Sequence, residues 1–173
     1  VDEESAITAV KSVGKDRVLP GEVIVLLGRG PIGAGMPETA QITSALKYTS
    51  ALSRNVLITD GRFSGFSSGP CIGHVGPEAL AGGPLAKLRD GDSVRIEIHK
   101  NKCKGTINYV GSEANFDARS VHPDLREDPD MPASVKLWAA LQSTGGGTWG
   151  GCVPNTEEVI NRLAPKILRK DFS

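Results

Sequence analysis

The 173-residue sequence has few cysteines and aromatic residues, no excess charge and no long hydrophobic run. Its three cysteines, Cys71, Cys103 and Cys152, cannot all pair, so we expect free thiols in a reducing, cytoplasmic compartment. Equal numbers of basic and acidic residues, 20 of each, argue against a nucleic-acid or anionic-membrane partner. No apolar run approaches the roughly 20 residues of a membrane span, and the amino terminus lacks the layout of a secretion signal.

What the sequence does contain is enough hydrophobic residues, 39%, to bury a core. Its length favours one domain. The 21 glycines and 11 prolines are the unusual feature of the composition, and their positions carry most of the information about function.

The first half of the chain has the pattern of an α/β protein. Short apolar runs at 23–27 and 56–58 predict buried parallel strands. The spacing of apolar residues predicts a helix over 2–13 and another that begins at Pro37 and continues to Leu52, with Glu38 in its first turn. A short helix is expected around Pro77 to Ala81.

The second half changes period. Residues 94–98 alternate between apolar and polar, which predicts a half-buried strand, and a partner strand is expected through Ile107 and Tyr109. Residues 111–132 are polar and predict a surface tail, followed by helices near 135–141 and 157–168. The predicted fold is therefore α/β, with parallel strands first, an antiparallel pair after them and a helical carboxyl-terminal tail.

Two glycine-rich loops follow the two predicted parallel strands, at the sheet edge where ligands usually bind. The first loop spans 28–35 and leads to Glu38. A carboxylate at a helix start often only complements the helix dipole, but Glu38 is also a hard oxygen ligand suited to Mg²⁺. The spacing of the loop's glycines matches neither a phosphate-binding P-loop nor the dinucleotide fingerprint.

The second loop spans 60–73 and contains Ser64 between Phe63 and Gly65. Ser64 is a candidate base or nucleophile, although Arg62 stands where a nucleophile elbow has glycine. A turn or capping role is the alternative for the serine. Asp60 and Arg62 are expected to pair across the turn.

Cys71 and His74 are three residues apart, a spacing that metal sites use. Because no second pair follows, a buried thiol beside a hydrogen-bonded histidine is the better interpretation. Trp138 and Trp149 are expected to pack in the tail.

Together these segments resemble a known family. Its motifs appear in this order: Gly35-Met36-Pro37-Glu38, Leu57-Ile58-Thr59-Asp60-Gly61-Arg62-Phe63-Ser64-Gly65, Gly69-Pro70-Cys71-Ile72-Gly73-His74-Val75, Gly82-Gly83-Pro84 and Arg89-Asp90-Gly91-Asp92. From Asp2 to Val110 the chain resembles the carboxyl-terminal domain of the dihydroxy-acid dehydratase and phosphogluconate dehydratase family. Two tail segments, 137–142 and 147–152, are similar to the sugar-acid branch that includes xylonate dehydratases.

The resemblance implies a hydro-lyase that converts a 2,3-dihydroxy sugar acid into a 2-keto-3-deoxy acid. It implies that Ser64 is the base that takes the Cα proton and that Glu38 is a magnesium ligand. It places Gly33, Gly35, Arg62, Gly65 and Ser67 at the substrate. An iron–sulfur cluster and Mg²⁺ would lie between this domain and a larger amino-terminal domain that supplies the cluster cysteines and most of the magnesium ligands.

For the fold, the resemblance implies a swivelling β/β/α barrel-like domain, similar to the small domain of aconitases, over residues 1–110. Its first strand is expected before Val1, and residues 111–173 are expected to form an extension packed on the same domain. The whole enzyme is expected to be a homo-oligomer, and this part is expected to be inactive alone. One departure is Phe66, since sugar-acid members often have Thr at this position, which puts its substrate contacts in doubt.

Two other functions remain open at this point. One is a non-catalytic module whose glycine loops hold a small anion at helix amino termini. The other is an autonomous metal protein that uses Cys71, His74 and Cys152.

Overall fold

The computed structural model of the protein describes the backbone of residues 2–167 and the side chains of residues 2–163. The helices are α1 (Glu3–Lys11), α2 (Pro31–Ala34), α3 (Gln41–Tyr48), α4 (Glu113–Asp117), α5 (Ala133–Gly145) and α6 (Thr156–Ile167). The strands are β1 (Val23–Leu26), β2 (Glu38–Thr39), β3 (Val56–Thr59), β4 (Arg62–Phe63), β5 (Cys71–Ile72), β6 (Val94–His99) and β7 (Lys104–Tyr109). Short 3-10 turns cover Ser50–Leu52, Ala79–Ala81, Pro84–Lys87 and Lys100–Lys102.

A three-stranded parallel sheet lies at the centre, with β3 between β1 and β5. Ile24 pairs with Leu57, and the ladder continues to Leu26 and Thr59. Both predicted parallel strands are therefore confirmed. β3 is buried from Leu57 to Thr59, whereas most of β1 is only half-buried, because β1 is at the edge of the sheet.

Apolar side chains cover both faces of this sheet. On one face α1 and α3 bury the cluster Val10, Leu26, Ile42, Leu46, Leu52 and Leu57. On the other face the cluster is Leu27, Ile58, Ala79, Leu85 and Ala86, against which the β6–β7 hairpin packs with Ile96 and Ile107. The sheet is thus held from both sides, and its carboxyl edge carries the two glycine loops.

The predicted antiparallel pair is confirmed as the hairpin β6–β7, in which Ile96 pairs with Ile107. Its turn ends at Cys103, which has a positive φ of 48°. The alternation buries the hairpin only in part, since Ile98 is 68% exposed.

The tail packs on the rest of the chain more closely than its polar composition suggested. The sequence missed α4, whose Phe116 is buried and stacks on Tyr109 of β7 with ring centroids 4.6 Å apart. Arg119 follows and donates two hydrogen bonds to the Asp92 carboxylate. These bonds hold the pKa of Asp92 below its usual value. The tail is therefore anchored to the turn before the hairpin.

Helices α5 and α6 agree with the two predicted tail helices. α5 packs on α2 so closely that a methyl group on Gly35 would meet the Val135 side chain. The predicted end of the last helix, Leu168, lies outside the described residues. Trp149 is 74% exposed and Trp138 is 37% exposed, so the expectation that both tryptophans pack in the tail is wrong for Trp149.

Two further expectations differ from the structure. The helix predicted to begin at Pro37 begins at Gln41, and Glu38 lies in β2 instead of a first helical turn. The reason is that Met36 adopts a positive φ of 56°, after which Glu38 and Thr39 pair with β4. The described strands form three separate sheets and no closed barrel, so the barrel-like detail is not confirmed.

Candidate functional site

The two glycine loops meet at the carboxyl edge of the central sheet, as the parallel strand order requires. The two-stranded parallel ladder β2–β4 joins them, with Glu38 paired to Arg62 and Thr39 to Phe63. The Ser64 amide extends the ladder by donating to the Thr39 carbonyl at 3.0 Å. Glu38 and Ser64 are therefore brought to one short ribbon.

Side-chain alternation separates the two faces of this ribbon. Paired residues in adjacent strands point to the same face, and residues two apart on a strand also share a face. Glu38 and Arg62 thus occupy one face. Thr39 and Phe63 occupy the other, where Thr39 is buried and Phe63 packs against the core under α1 and α3. Glu38 and Arg62 are therefore on the face that the core leaves open, and Ser64 follows directly after β4.

Arg62 is bound to the first loop at two points. Its Nε donates to the Met36 carbonyl at 2.8 Å, and its Nη1 lies 3.6 Å from Glu38 Oε1. About half of each side chain in this ion pair is exposed, 49% for Arg62 and 53% for Glu38. Both groups can therefore reach a ligand above the ribbon. The expected pairing of Arg62 with Asp60 is wrong.

Residues 64–67 form a tight turn at the end of the ribbon. The Ser67 amide donates to the Ser64 carbonyl, and the Ser67 hydroxyl donates to the Thr39 carbonyl, both at 3.0 Å. The Phe66 amide lies 3.5 Å from Ser64 Oγ, at the limit of a hydrogen bond. Ser64 is half-buried, while the Phe66 side chain is 96% exposed. The turn thus presents the Ser64 hydroxyl beside a large apolar side chain.

Asp60 has a role that the sequence did not indicate. It is fully buried and accepts backbone hydrogen bonds from Gly28, Arg29 and Ala79 at 2.8–3.0 Å. A buried carboxylate is stable only when its oxygens are paired in this way. Asp60 therefore ties the first loop, the second loop and the segment after β5 together.

Glu78 is a second buried carboxylate that sequence reasoning missed. It has no exposed surface and accepts hydrogen bonds from the Ile32 and Gly33 amides at 3.0–3.2 Å. Burial, together with the nearby Asp60 carboxylate, raises the pKa of Glu78 above its usual value. The only sequence signal was its place at the start of the expected short helix. The contact itself joins residues 46 positions apart.

These carboxylates bear on the anion-binding alternative. Glu78 occupies the amino terminus of α2, and the Glu3 carboxylate accepts from the Ala40 and Ile42 amides at the start of α3. Both helix starts are therefore already satisfied by carboxylates of the chain itself. The amides at those helix starts are not free to bind an external anion, so the structure argues against that alternative for the first loop.

The expected substrate-binding glycines occupy different environments. Gly33 is buried, and a methyl group there would meet the Gly28 carbonyl. Gly35 has a positive φ of 68° and contacts α5. A methyl group on Gly65 would meet nothing within 4 Å. Packing alone therefore requires glycine at 33 and 35, whereas Gly65 lies open beside Ser64.

The cysteines do not form a metal site. Cys71, Cys103 and Cys152 are free and belong to different elements, and His74 is exposed instead of buried and hydrogen-bonded as expected. Burial raises the pKa of the half-buried Cys71 thiol. Within the described residues no group of three or more His, Cys, Asp or Glu side chains could hold a metal ion. The autonomous metal protein is therefore contradicted for that part of the chain, and these cysteines do not fit an iron–sulfur cluster.

The Glu38 carboxylate is suited to bind Mg²⁺ as one of several ligands. Mg²⁺ is usually held by one or two carboxylates together with water and substrate, and the Glu38 carboxylate is half-exposed at the open face of the ribbon. The remaining protein ligands would come from outside the described residues.

A cavity of about 1070 Å³ lies between α1, the start of the first loop at Gly28 and Arg29, and residues 122–130. Half of its lining residues are acidic, Asp2 and Glu127 among them, and the lining includes neither Glu38 nor Ser64. It is therefore distinct from the ribbon site.

Comparison with known proteins supports the motif evidence. Residues 1–144 match the model of the dihydroxy-acid/6-phosphogluconate dehydratase carboxyl-terminal domain. The chain belongs to this family. It is 44% identical over 166 residues to the D-xylonate dehydratase YagF of Escherichia coli, covering 90% of this chain and 25% of that protein.

Two other members of the dehydratase family give the same result. The D-xylonate dehydratase YjhG of Escherichia coli is 44% identical over 171 residues, covering 92% of this chain and 26% of that protein. A dihydroxy-acid dehydratase of Lachnoclostridium phytofermentans is 38% identical over 144 residues, covering 83% and 25%. The chain thus spans about a quarter of the length of these relatives. Among the described residues, no helix is both long enough and apolar enough to cross a membrane.

Proposed function

We propose that this chain is the carboxyl-terminal part of a hydro-lyase that dehydrates a 2,3-dihydroxy sugar acid to a 2-keto-3-deoxy acid. The observation that carries the proposal is the pairing of Glu38 with Arg62 directly before Ser64, which brings a carboxylate, a cation and a hydroxyl to one short ribbon. The similarity to two D-xylonate dehydratases supports a sugar acid as substrate.

Ser64 is the proposed base. It takes the proton from C2 of the substrate, and the C2–C3 double bond forms as the bond from C3 to its hydroxyl breaks. The leaving hydroxide takes up one proton, equivalent to the one held by Ser64, and departs as water, which restores the base. The resulting enol tautomerises to the 2-keto acid. A serine hydroxyl is a weak base at its ordinary pKa, so it needs nearby positive charge to act as an alkoxide. Arg62, two residues before Ser64, is proposed to contribute such a charge.

Glu38 is the proposed magnesium ligand. When bound, Mg²⁺ supplies positive charge that stabilises the carboxylate and the developing enolate of the substrate. Arg62 holds the Glu38 carboxylate in place on the ribbon through its ion pair and its bond to the Met36 carbonyl. Gly65 and Ser67, next to Ser64, and Arg62 are proposed to contact the substrate. Gly33 and Gly35 would act on the substrate through the shape of the first loop.

The rest of the enzyme is proposed to lie in a larger amino-terminal domain. That domain would hold the iron–sulfur cluster, since the described cysteines do not fit one, and the departure of the 3-hydroxyl is assigned to it. Residues 1–110 are proposed to form a swivelling domain that closes over the substrate, and residues 111–173 an extension packed on it. We infer a cytoplasmic homo-oligomer, in which this chain is inactive without its partner domain.

The test is to compare S64A with S68A in the whole enzyme and to measure 2-keto-3-deoxy acid formed from D-xylonate. Ser68 is an exposed serine of the same loop and serves as the matched control. We expect S64A to lose at least about a hundredfold in kcat, the usual contribution of a positioned base, and S68A to keep the wild-type rate. An S64A enzyme that matches S68A would disprove the assignment of the base.

A further inference from the structure

The segment 145–152, here called the glycine turn, is an ordered loop that exposes a tryptophan. It begins with the last residue of α5 and is closed by hydrogen bonds from the Gly147 amide to the Gln142 carbonyl and from the Cys152 amide to the Gly147 carbonyl. Gly146, Gly147 and Gly151 all adopt positive φ, a conformation that other residues adopt only at a cost. Trp149 stands at the tip with 74% of its surface exposed.

The glycine turn lies at the edge of the sheet that carries the site. A methyl group on Gly76 would be 3.3 Å from Cε3 of Trp149, and Gly76 belongs to the segment after β5. The same segment runs beside the second loop, because the His74 amide donates to the Gly61 carbonyl at 2.8 Å. The segment after β5 therefore lies next to both Trp149 and the second loop, which contains Ser64.

The glycine turn also lies close to the first loop, through Gly147. A methyl group on Gly147 would meet the Glu78 carboxylate and would lie 3.5 Å from the Ile32 side chain. Glu78 is the residue that holds the start of α2. Glycine at position 147 thus leaves room for the same buried carboxylate that holds the start of α2.

The comparisons separate this segment from the rest of the domain. The match to the family model ends at residue 144, just before the glycine turn. The alignments with the two D-xylonate dehydratases cover 90% and 92% of the chain. An alignment that ended at residue 144 would leave more than a tenth of the chain uncovered, so both alignments include the glycine turn. The glycine turn therefore lies outside the family model but within both D-xylonate dehydratase alignments, and one dihydroxy-acid dehydratase alignment, which covers 86% of the chain, also extends past residue 144.

From this position and from the exposure of the indole we propose that Trp149 is a specificity-determining residue that contacts the polyol chain of a sugar acid, beyond the two reacting carbons. The inference rests on the proposed function. An indole offers a large rigid apolar face for the carbon chain and an N–H that can donate to a hydroxyl. A contact with the remote part of the substrate acts on binding of the ground state and the transition state alike, so it appears in KM.

The experiment measures steady-state kinetics of the whole enzyme with two linear sugar acids, the five-carbon D-xylonate and a four-carbon aldonate with a shorter polyol chain. The variants are W149A, W149F and, as a matched control, Y48A. Tyr48 is also an exposed aromatic residue, at 83%, but it ends α3, which leads back to the opposite edge of the sheet. Thermal unfolding of each variant is recorded in parallel.

We expect W149A to raise the KM for D-xylonate about tenfold, equivalent to about 1.4 kcal/mol, with kcat within twofold of the wild type. The KM for the four-carbon acid should change less than threefold. W149F should recover most of the loss, and Y48A should match the wild type.

Three results in the KM and unfolding measurements would overturn the role of Trp149 and leave the proposed function standing. They are an unchanged KM in W149A, an equal loss with both acids, and an unfolded W149A, which would show a structural role. A fall in kcat at constant KM would also contradict it and indicate contact with the rest of the enzyme. If the wild-type enzyme dehydrates neither acid, the proposed function itself is wrong, and the role of Trp149 is wrong with it.

Discussion

At the scale of single residues, Gly33 and Gly65 show how similar glycines in similar loops have different tasks. Both are expected at the substrate, but a methyl group on Gly33 would meet the Gly28 carbonyl and lie 3.0 Å from Leu80 Cδ1, whereas one on Gly65 would contact nothing within 4 Å. Close packing leaves Gly33 no room for a side chain, and the open turn leaves Gly65 free for a ligand.

G33A and G65A therefore form a matched pair. We expect G33A to lower the free energy of unfolding by about 1–3 kcal/mol, the usual cost of overpacking, and G65A to change it by less than about 1 kcal/mol. Urea denaturation of the two variants measures both values. Equal losses in the two variants would contradict the packing assigned to Gly33.

Whether the sequence indicates the role of a residue depends on where in the chain the groups that it contacts lie. Glu38 and Ser64 were singled out as candidates because Glu38 follows, and Ser64 stands in, a glycine-rich loop after an apolar strand. Asp60 was noticed but given the wrong partner, Arg62, since its true partners are backbone amides of other segments. Backbone amides are present at nearly every position, so no sequence pattern identifies the ones that a buried carboxylate binds.

At the scale of elements, the short helix α2 depends on Glu78. The carboxylate accepts from the Ile32 and Gly33 amides, yet burial raises its pKa above the ordinary value of 4.5. A carboxyl whose pKa is raised in the folded state binds its proton more tightly there than in the unfolded chain. Its contribution to stability is therefore complete below pH 4.5 and is lost as the pH rises through the folded-state pKa.

We therefore expect the free energy of unfolding of the wild type to fall, relative to that of E78Q, as the pH rises from below 4.5 to neutral. The neutral glutamine can keep the oxygen that accepts both amides and has no charge to bury. Denaturation curves of the two chains across this pH range give the difference between their free energies of unfolding. Because Asp92 and the other carboxyls titrate in both chains, their contributions cancel in this difference. A difference that does not change with pH would contradict the assignment of the raised pKa to Glu78.

The sequence predicted the ends of an element where the spacing of its own apolar residues determines them. It did not predict them where pairing with a distant segment determines them. The hairpin β6–β7 followed from alternation at Val94 and Ile96, and α5 from its apolar spacing. The start of α3 was misplaced by four residues, from Pro37 to Gln41, because proline favours a helix start locally while the pairing of Glu38 with Arg62 acts from another loop. α4 is only five residues long, and it is held by the packing of Phe116 against Tyr109. The spacing of apolar residues within so short a segment does not predict this contact.

At the scale of the whole molecule, the chain corresponds to about a quarter of the dehydratases it resembles. The ribbon β2–β4 presents Glu38 and Arg62 on a face that the core of this domain does not cover, and Ser64 follows directly after it. We propose that these residues form part of a site, which a second domain with further metal ligands completes. The proposal requires that Glu38 and Ser64 face the same metal ion in the assembled enzyme.

The most direct measurement is anomalous diffraction from crystals of the whole enzyme in which Mn²⁺ replaces Mg²⁺, for the wild type and E38Q. We expect one Mn²⁺ peak within about 2.1 Å of a Glu38 oxygen, the usual distance for a bound Mg²⁺, on the side of the ribbon that carries Ser64. The peak should be strongly reduced in E38Q. A Mn²⁺ ion bound away from Glu38, or a peak of equal height in E38Q, would contradict the shared site.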